Sequence, residues 1–178
     1  MANRALLIGS QVHGLAGCHA DAEVMAALLA ERGFEVRSLI EGGATRDGIM
    51  AGYQELIDDS VEGDAAVVYY SGHGGRFGNP ERSSGQPEWV QYILPSDIDD
   101  TTAEDFRGIF AEDLSLLQYQ LTQKTRNVTT ILDCCHSARM SRDTRIVPKA
   151  FSGGWPATAV AKRYQSVTEA MSRARAAV

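Results

Sequence analysis

The stretch Ile131-Leu132-Asp133-Cys134-Cys135-His136-Ser137-Ala138 decides how this chain is read. An apolar run, Val128 to Leu132, leads into it and has the composition of a buried strand. Two cysteines and a histidine stand where that strand must end. In open α/β sheets, chemistry is placed at the carboxyl ends of the strands. A second stretch has the same build: Ala65-Ala66-Val67-Val68-Tyr69-Tyr70 runs into Ser71-Gly72-His73-Gly74-Gly75. Two such strands side by side bring His73 within reach of a cysteine, a base beside its nucleophile. Successive strand residues face opposite sides, so only one of Cys134 and Cys135 can face the site.

The segments around these two stretches supply a sheet and its cover. Ala5 to Ile8 suits a central parallel strand, with a loop through Gly14 and Gly17 at its carboxyl end. From Asp21 the pattern turns helical, with Val24, Met25, Leu28 and Leu29 at helical spacing and a stop at Arg32-Gly33. Phe34 to Ile40 reads as a second strand. Thr45 is an N-cap for a helix through Ile57 whose apolar face carries Ile49, Tyr53, Leu56 and Ile57. Arg76 to Glu88 reads as a flexible loop, and Trp89 to Leu94 as the returning arm of a small hairpin. Pro95 to Asp105 is an acidic loop. Phe110 to Leu121 is helical, with Leu114, Leu117 and Leu121 inward. After Pro148 to Pro156, a loop, Ala157 to Ala177 is weakly helical. Alternating strands and helices imply right-handed crossovers and a mainly parallel central sheet covered on both faces, an α/β three-layer sandwich.

A chain of 178 residues with 44% hydrophobic and 22% charged residues is the size and composition of one globular domain. A net charge of -6 argues against a nucleic-acid surface. No signal peptide is visible, and no apolar run approaches the roughly 20 residues that span a bilayer. Three cysteines, two of them adjacent, make no disulfide framework, so reduced thiols in a cytoplasm are expected. Cys18, His19, His73 and Cys135 show no Cys-x-x-Cys or His-x-x-x-His spacing, and zinc is not expected. No Gly-x-Gly-x-x-Gly follows the first strand, which leaves a nucleotide-binding doubly wound domain poorly supported.

Tyr-Ser-Gly-His-Gly at 70–74, followed some sixty residues later by Asp-Cys-Cys-His-Ser at 133–137, resembles the paired signature of the caspase-like cysteine peptidases. The metacaspase and bacterial caspase-like branch is the nearest in pattern, and the resemblance takes in Gly17-Cys18-His19-Ala20-Asp21-Ala22. It implies the caspase-haemoglobinase fold and a cysteine endopeptidase. The family's nucleophile is the residue directly before His-Ser, which carries over to Cys135 and leaves Cys134 to the core. His73 is then general base and acid. The amides of Gly74 and Cys135 form the oxyanion hole by resemblance. A thiol of pKa about 8.5 must be acidified to attack, which a neighbouring imidazolium and a helix start near Ser137 would do. Gly72, Gly74 and Gly75 would let the backbone turn and approach substrate. His136 reads as structural, and His13 and His19 as exposed residues near the cleft.

Specificity follows from departures from the caspase pattern. Where caspases carry Arg and Gln to hold an acidic side chain, this chain has Leu15 and Asp133. Asp21 matches an acidic pocket residue of metacaspases, and Ser71 a serine near that pocket. Two carboxylates favour a guanidinium or ammonium, so cleavage after Arg or Lys is expected. Asp21 as a helix N-cap and Ser71 as a local turn former are the plain alternatives. Asp97, Asp99, Asp100, Glu104 and Asp105 lie where many metacaspases bind calcium, but Ala103 replaces a ligand there. No cofactor is expected, and calcium is not favoured. Residues 1–147 correspond to the peptidase core, its large-subunit part. Residues 148–178 read as a truncated or processed linker, with Arg142, Arg145, Lys149, Lys162, Arg163, Arg173 and Arg175 as candidate self-cleavage positions. The expected partners are a peptide substrate and a small-subunit fragment or activating chain. The alternative from another class is a non-catalytic scaffold module of the same fold.

Overall fold

A computed structural model describes residues 1–80, 87–134, 149–151 and 153–176. Its elements in chain order are β1 (Asn3–Gly9), α1 (Cys18–Ala30), β2 (Glu35–Ile40), α2 (Arg46–Asp59), β3 (Ala65–Ser71), β4 (Gly74–Gly78), β5 (Trp89–Ile93), β6 (Ile109–Phe110), α3 (Ala111–Lys124), β7 (Asn127–Asp133), β8 (Ala150–Phe151) and α4 (Ala157–Ala176). The first sheet runs β2-β1-β3-β7, every pair parallel. Strand β1 is buried from Ala5 to Ile8 because helices cover both its faces. Ala22, Met25 and Leu29 of α1 pack with Ala5, Leu7 and Tyr69 on one face. Ile49, Tyr53, Leu56 and Ile57 of α2, with Leu117 and Leu121 of α3, pack with Leu6, Ile8 and Val68 on the other. The three-layer sandwich expected from the sequence is the observed fold.

The local signals succeed where the chemistry is unambiguous. Thr45 caps α2, its Oγ1 accepting from the Gly48 amide at 3.1 Å. Helix α1 starts earlier than its apolar spacing suggests, at Cys18, because Gly17 caps it in a left-handed conformation, φ 95°. Asp21 is therefore inside the helix and is not its N-cap. Val24 and Leu28 point to solvent, so the packed face of α1 is carried by Ala22, Met25, Ala26 and Leu29.

Two elements differ from expectation. The expected loop after His73 begins as a strand: β4 pairs antiparallel with β5, and the second sheet runs β6-β5-β4-β8. Gly72 and Gly75 are glycines because aromatic groups sit against their backbones, and neither has positive φ. A Cβ on Gly72 would lie 2.3 Å from the Tyr70 hydroxyl, and one on Gly75 2.5 Å from the Tyr92 ring. Strand β7 is also not the buried strand its composition suggests. It is the edge of its sheet among the described residues, with Ile131 38% and Leu132 45% exposed.

A second core lies under the second sheet. Tyr92, Phe106 and Phe110 meet Val160, Tyr164 and Val167 of α4, so the helix after position 157 is packed onto the body. Among the described residues, no helix is long and apolar enough to cross a membrane.

Candidate active site

The site grows from the parallel register of β3 and β7. Ser71 stands opposite Asp133, so the two strands end at the same level, with His73 two residues beyond Ser71. Cys134 is half-buried and packs against the core on the α2 side. Cys135, His136 and the expected helix start at Ser137 lie outside the described residues, as do Arg142 and Arg145.

His73 is 4% exposed and tightly framed. Its carbonyl accepts from the Leu94 amide at 3.1 Å and from the Tyr70 hydroxyl at 2.9 Å. Tyr70 is fully buried, and desolvation raises its phenol well above 10.0, so that hydroxyl remains a donor. The imidazole is hydrogen-bonded to backbone groups of Lys149 and His13, while Nδ1 has no partner among the described residues. Burial lowers the His73 pKa below its ordinary value, outweighing those backbone bonds.

The carboxylates and hydroxyl that the sequence places together do meet. Asp21 Oδ2, Ser71 Oγ and Asp133 Oδ2 surround one ammonium, Lys149 Nζ, at 3.0, 2.8 and 2.5 Å. Ser71 also donates to Asp21 at 2.9 Å, so it belongs to the pocket wall and is not a local turn former. Burial works against the Lys149 charge, but hydrogen bonds to Asp133 and Asp21 prevail and raise its pKa. The same ammonium lowers the Asp21 pKa. Cys18 is buried at the pocket floor, where desolvation raises its thiol pKa against a hydrogen bond to Ser71. Leu15 is buried as well.

The backbone of Lys149 is held at a second point. Gly74 donates its amide to the Lys149 carbonyl at 2.8 Å, and β8 continues from there parallel to β4. One residue thus has its side chain in the acidic pocket and its carbonyl oxygen on the expected oxyanion donor. Nothing in the spacing of the basic residues singles out Lys149 from its neighbours. Lys162 and Arg163 instead pair with Glu104 and Asp113, and Arg173 with Glu169.

His13 and His19 differ from each other. The His13 ring packs on Phe151 at 4.3 Å beside the cleft, and its Nε2 lies 3.2 Å from Asp99. His19 faces away and accepts from the Glu41 amide at 3.3 Å.

The acidic loop holds its own counter-ions. Arg107 reaches Asp97 at 2.5 Å, Asp47 at 3.1 Å and Asp105 at 3.1 Å, and Arg46 reaches Asp105 at 2.6 Å. These carboxylates raise the Arg107 pKa despite burial. Calcium needs six to eight oxygens free to face it, and carboxylates already bridged by two guanidiniums do not offer them. No metal-holding group of acidic, Cys or His residues occurs among the described residues.

A buried histidine, a backbone donor and an acidic pocket thus meet at the strand ends of a parallel sheet, the place where open α/β folds put their sites. The caspase-domain family profile matches residues 2–175, and the chain belongs to that peptidase family. It is 31% identical to metacaspase-6 of Arabidopsis thaliana over 150 residues, 77% of this chain and 38% of that protein. It is 30% identical to metacaspase-2 of Trypanosoma brucei brucei over 150 residues, 75% of this chain and 41% of that one. The chain thus spans about two-fifths of the length of these relatives. Among solved structures, protein GSU0716 of Geobacter sulfurreducens shares the fold, with a TM-score of 0.65 over 94% of this chain and 64% of its own, at 24% identity.

Proposed function

We propose that this protein is a cysteine endopeptidase that hydrolyses peptide bonds after Lys or Arg, with Cys135 as nucleophile and His73 as base. The observation that carries the reading is Lys149, with its ammonium on Asp21, Ser71 and Asp133 and its carbonyl oxygen on the Gly74 amide. A side chain in a complementary pocket and an oxygen on a backbone donor are what a substrate residue before the cut bond requires.

The geometry of the described residues supports a role for each. With its backbone hydrogen bonds made through the other nitrogen, His73 has Nδ1 left to take the thiol proton. The level ends of β3 and β7 support its meeting with Cys135, each two residues past a paired position. The thiolate sulfur bonds to the carbonyl carbon, and the developing oxyanion stays on Gly74 N–H and the Cys135 amide. The C–N bond breaks as His73 returns its proton to the leaving amine. Water, deprotonated by His73, then releases the acid and the thiol. The bond so placed in the chain itself is Lys149–Ala150, two residues past the boundary between the 1–147 core and the following segment. Cutting there is the processing event that the tail's basic residues suggest.

A second reading has its own observation. The exposed edge of β7, with Ile131 and Leu132, favours completion of the groove by a further strand, from a small-subunit fragment or an activating chain. Without it, the fold would serve as a non-catalytic interaction module.

An Arg- or Lys-containing fluorogenic peptide, assayed with wild type and Cys135→Ala, tests the proposal. Cysteine-dependent release after the basic residue is the expected result. Equal, negligible signal from both proteins, with a partner chain supplied, would favour the scaffold.

A further inference from the structure

The segment that supplies Lys149 continues along β4 to Phe151 and on to Trp155. Phe151 is the second residue beyond Lys149, and its pairing opposite Gly75 fixes it there. Its ring lies 4.3 Å from the His13 imidazole at a 32° tilt, and 5.5 Å from Trp155 at 30°. Val12 and Phe77 pack against the same group, and Trp155 is anchored by a 3.0 Å hydrogen bond from Nε1 to the Tyr92 hydroxyl.

His13 reaches this place from the turn after β1 with φ 51°, a conformation that disfavours residues bearing a Cβ. Asp99 holds its Nε2 at 3.2 Å. The hydrogen bond between His13 and His73 is through the His13 backbone, which any residue would supply, while the ring acts on His73 as a neighbouring charge. The acidic pocket is built from Asp21, Ser71 and Asp133 without this ring, and the His73 hydrogen bond does not require it. What the ring does touch is Phe151 and, edge-on at 6.2 Å, Trp155.

We propose that His13 and Trp155 form a subsite for an aromatic side chain two positions beyond the cut bond. The inference rests on the peptidase reading above and adds a second anchor to it. The acidic pocket fixes the residue before the bond, the aromatic seat fixes the second residue after it, and the bond is held between them beside His73. The Phe151 ring stands 6.2 Å from the His73 ring, which places the seat beside the base. The enzyme then selects a basic residue, any small residue and an aromatic one, in that order.

The test uses the full chain and two internally quenched peptides, identical except for Phe or Ser at the second position after lysine. Wild type is expected to cut the Phe peptide with a kcat/KM about five-fold higher, the usual worth of an aromatic pair. In His13→Asn, which tolerates a positive φ, that ratio is expected to fall to about one. Because the chain's own Phe151 occupies the seat, the same comparison is made within it. Phe151→Ser should slow loss of the intact chain at Lys149–Ala150, and Phe151→Tyr should slow it less. Equal cutting of both peptides by wild type overturns the subsite, as does an unchanged ratio in both His13→Asn and His13→Gly. Cutting of both peptides with no effect of the second residue after lysine would leave the peptidase reading standing alone. No Cys135-dependent cutting of any substrate removes the peptidase reading, and the subsite with it.

Discussion

Two acidic clusters lie at the carboxyl end of this sheet, and each has one carboxylate more than it has cations. Asp21 and Asp133 share the Lys149 ammonium, and Asp47, Asp97 and Asp105 share the guanidiniums of Arg46 and Arg107. The clusters differ in what carries the cation. Arg46 opens α2 and Arg107 stands just before β6, both inside the body, and each makes several bonds in a planar fork. Lys149 sits on a short paired segment, presents a point charge, and faces carboxylates that are themselves half-exposed. One cluster is closed by structure, and the other, in the proposed reading, is a socket whose occupant can change. Like charge therefore implies unlike roles.

The sharpest break in this comparison comes from the nucleophile. Cys135→Ala is expected to abolish cutting of the chain and of added Lys peptides, by about a thousandfold or more. A mass spectrum showing the Lys149–Ala150 bond cut at the wild-type rate in that variant would mean that the socket serves no chemistry. Next, Asp133→Asn should lower kcat/KM on Lys peptides about tenfold or more, because a charge-assisted bond is lost. Its melting temperature should barely move, since the socket is partly solvated.

The closed cluster should behave in the opposite sense. Asp97→Ala leaves Arg107 without its best partner in a mostly buried setting, and is expected to cost about 3 kcal/mol, read by urea unfolding. Its kcat/KM should stay near wild type, and a large loss of activity at unchanged stability would merge the two clusters into one site.

Acid provides a smaller effect with a defined sign. His73 has a folded pKa below 6.5, so between that folded value and 6.5 the unfolded chain binds more protons than the folded one. Stability should fall as pH drops through this window, and the loss should be reduced in His73→Gln. His13 is the neighbouring charge that contributes to the lowering. Smallest of all, added calcium should leave the melting temperature within about a degree, because two guanidiniums already fill the closed cluster. A rise of several degrees would show that the ion displaces them.

Much of the sheet was legible because its signals are local. Thr45 announces α2, and the runs ending at Ser71 and Asp133 announce parallel strands that stop together. The meeting of Asp21, Ser71 and Asp133 was legible through resemblance, since no local rule joins positions so far apart. Other features lay beyond sequence. Gly74-Gly75 reads as a flexible turn, yet Gly75 is small because Tyr92 lies against it, a tertiary fact. Val128 to Leu132 reads as buried by composition, but among the described residues it lies at the sheet edge, with Ile131 and Leu132 exposed. Lys149 was one basic residue among seven, and only the strand pairing of Ala150–Phe151 with β4 brings it to the socket. His13 was legible only as an exposed residue near the cleft, since its packing on Phe151 is a tertiary contact.

Helix α4 gives the proposed cut an unusual outcome. Ala159, Val160, Tyr164 and Val167 are buried in the aromatic core, and each large apolar side chain so buried is worth about 2 kcal/mol. Hydrolysis upstream would sever connectivity without separating the pieces. A nicked sample should elute from a sizing column as one species and resolve into two bands only under denaturing electrophoresis, with the new amino terminus still lodged where the bond was broken.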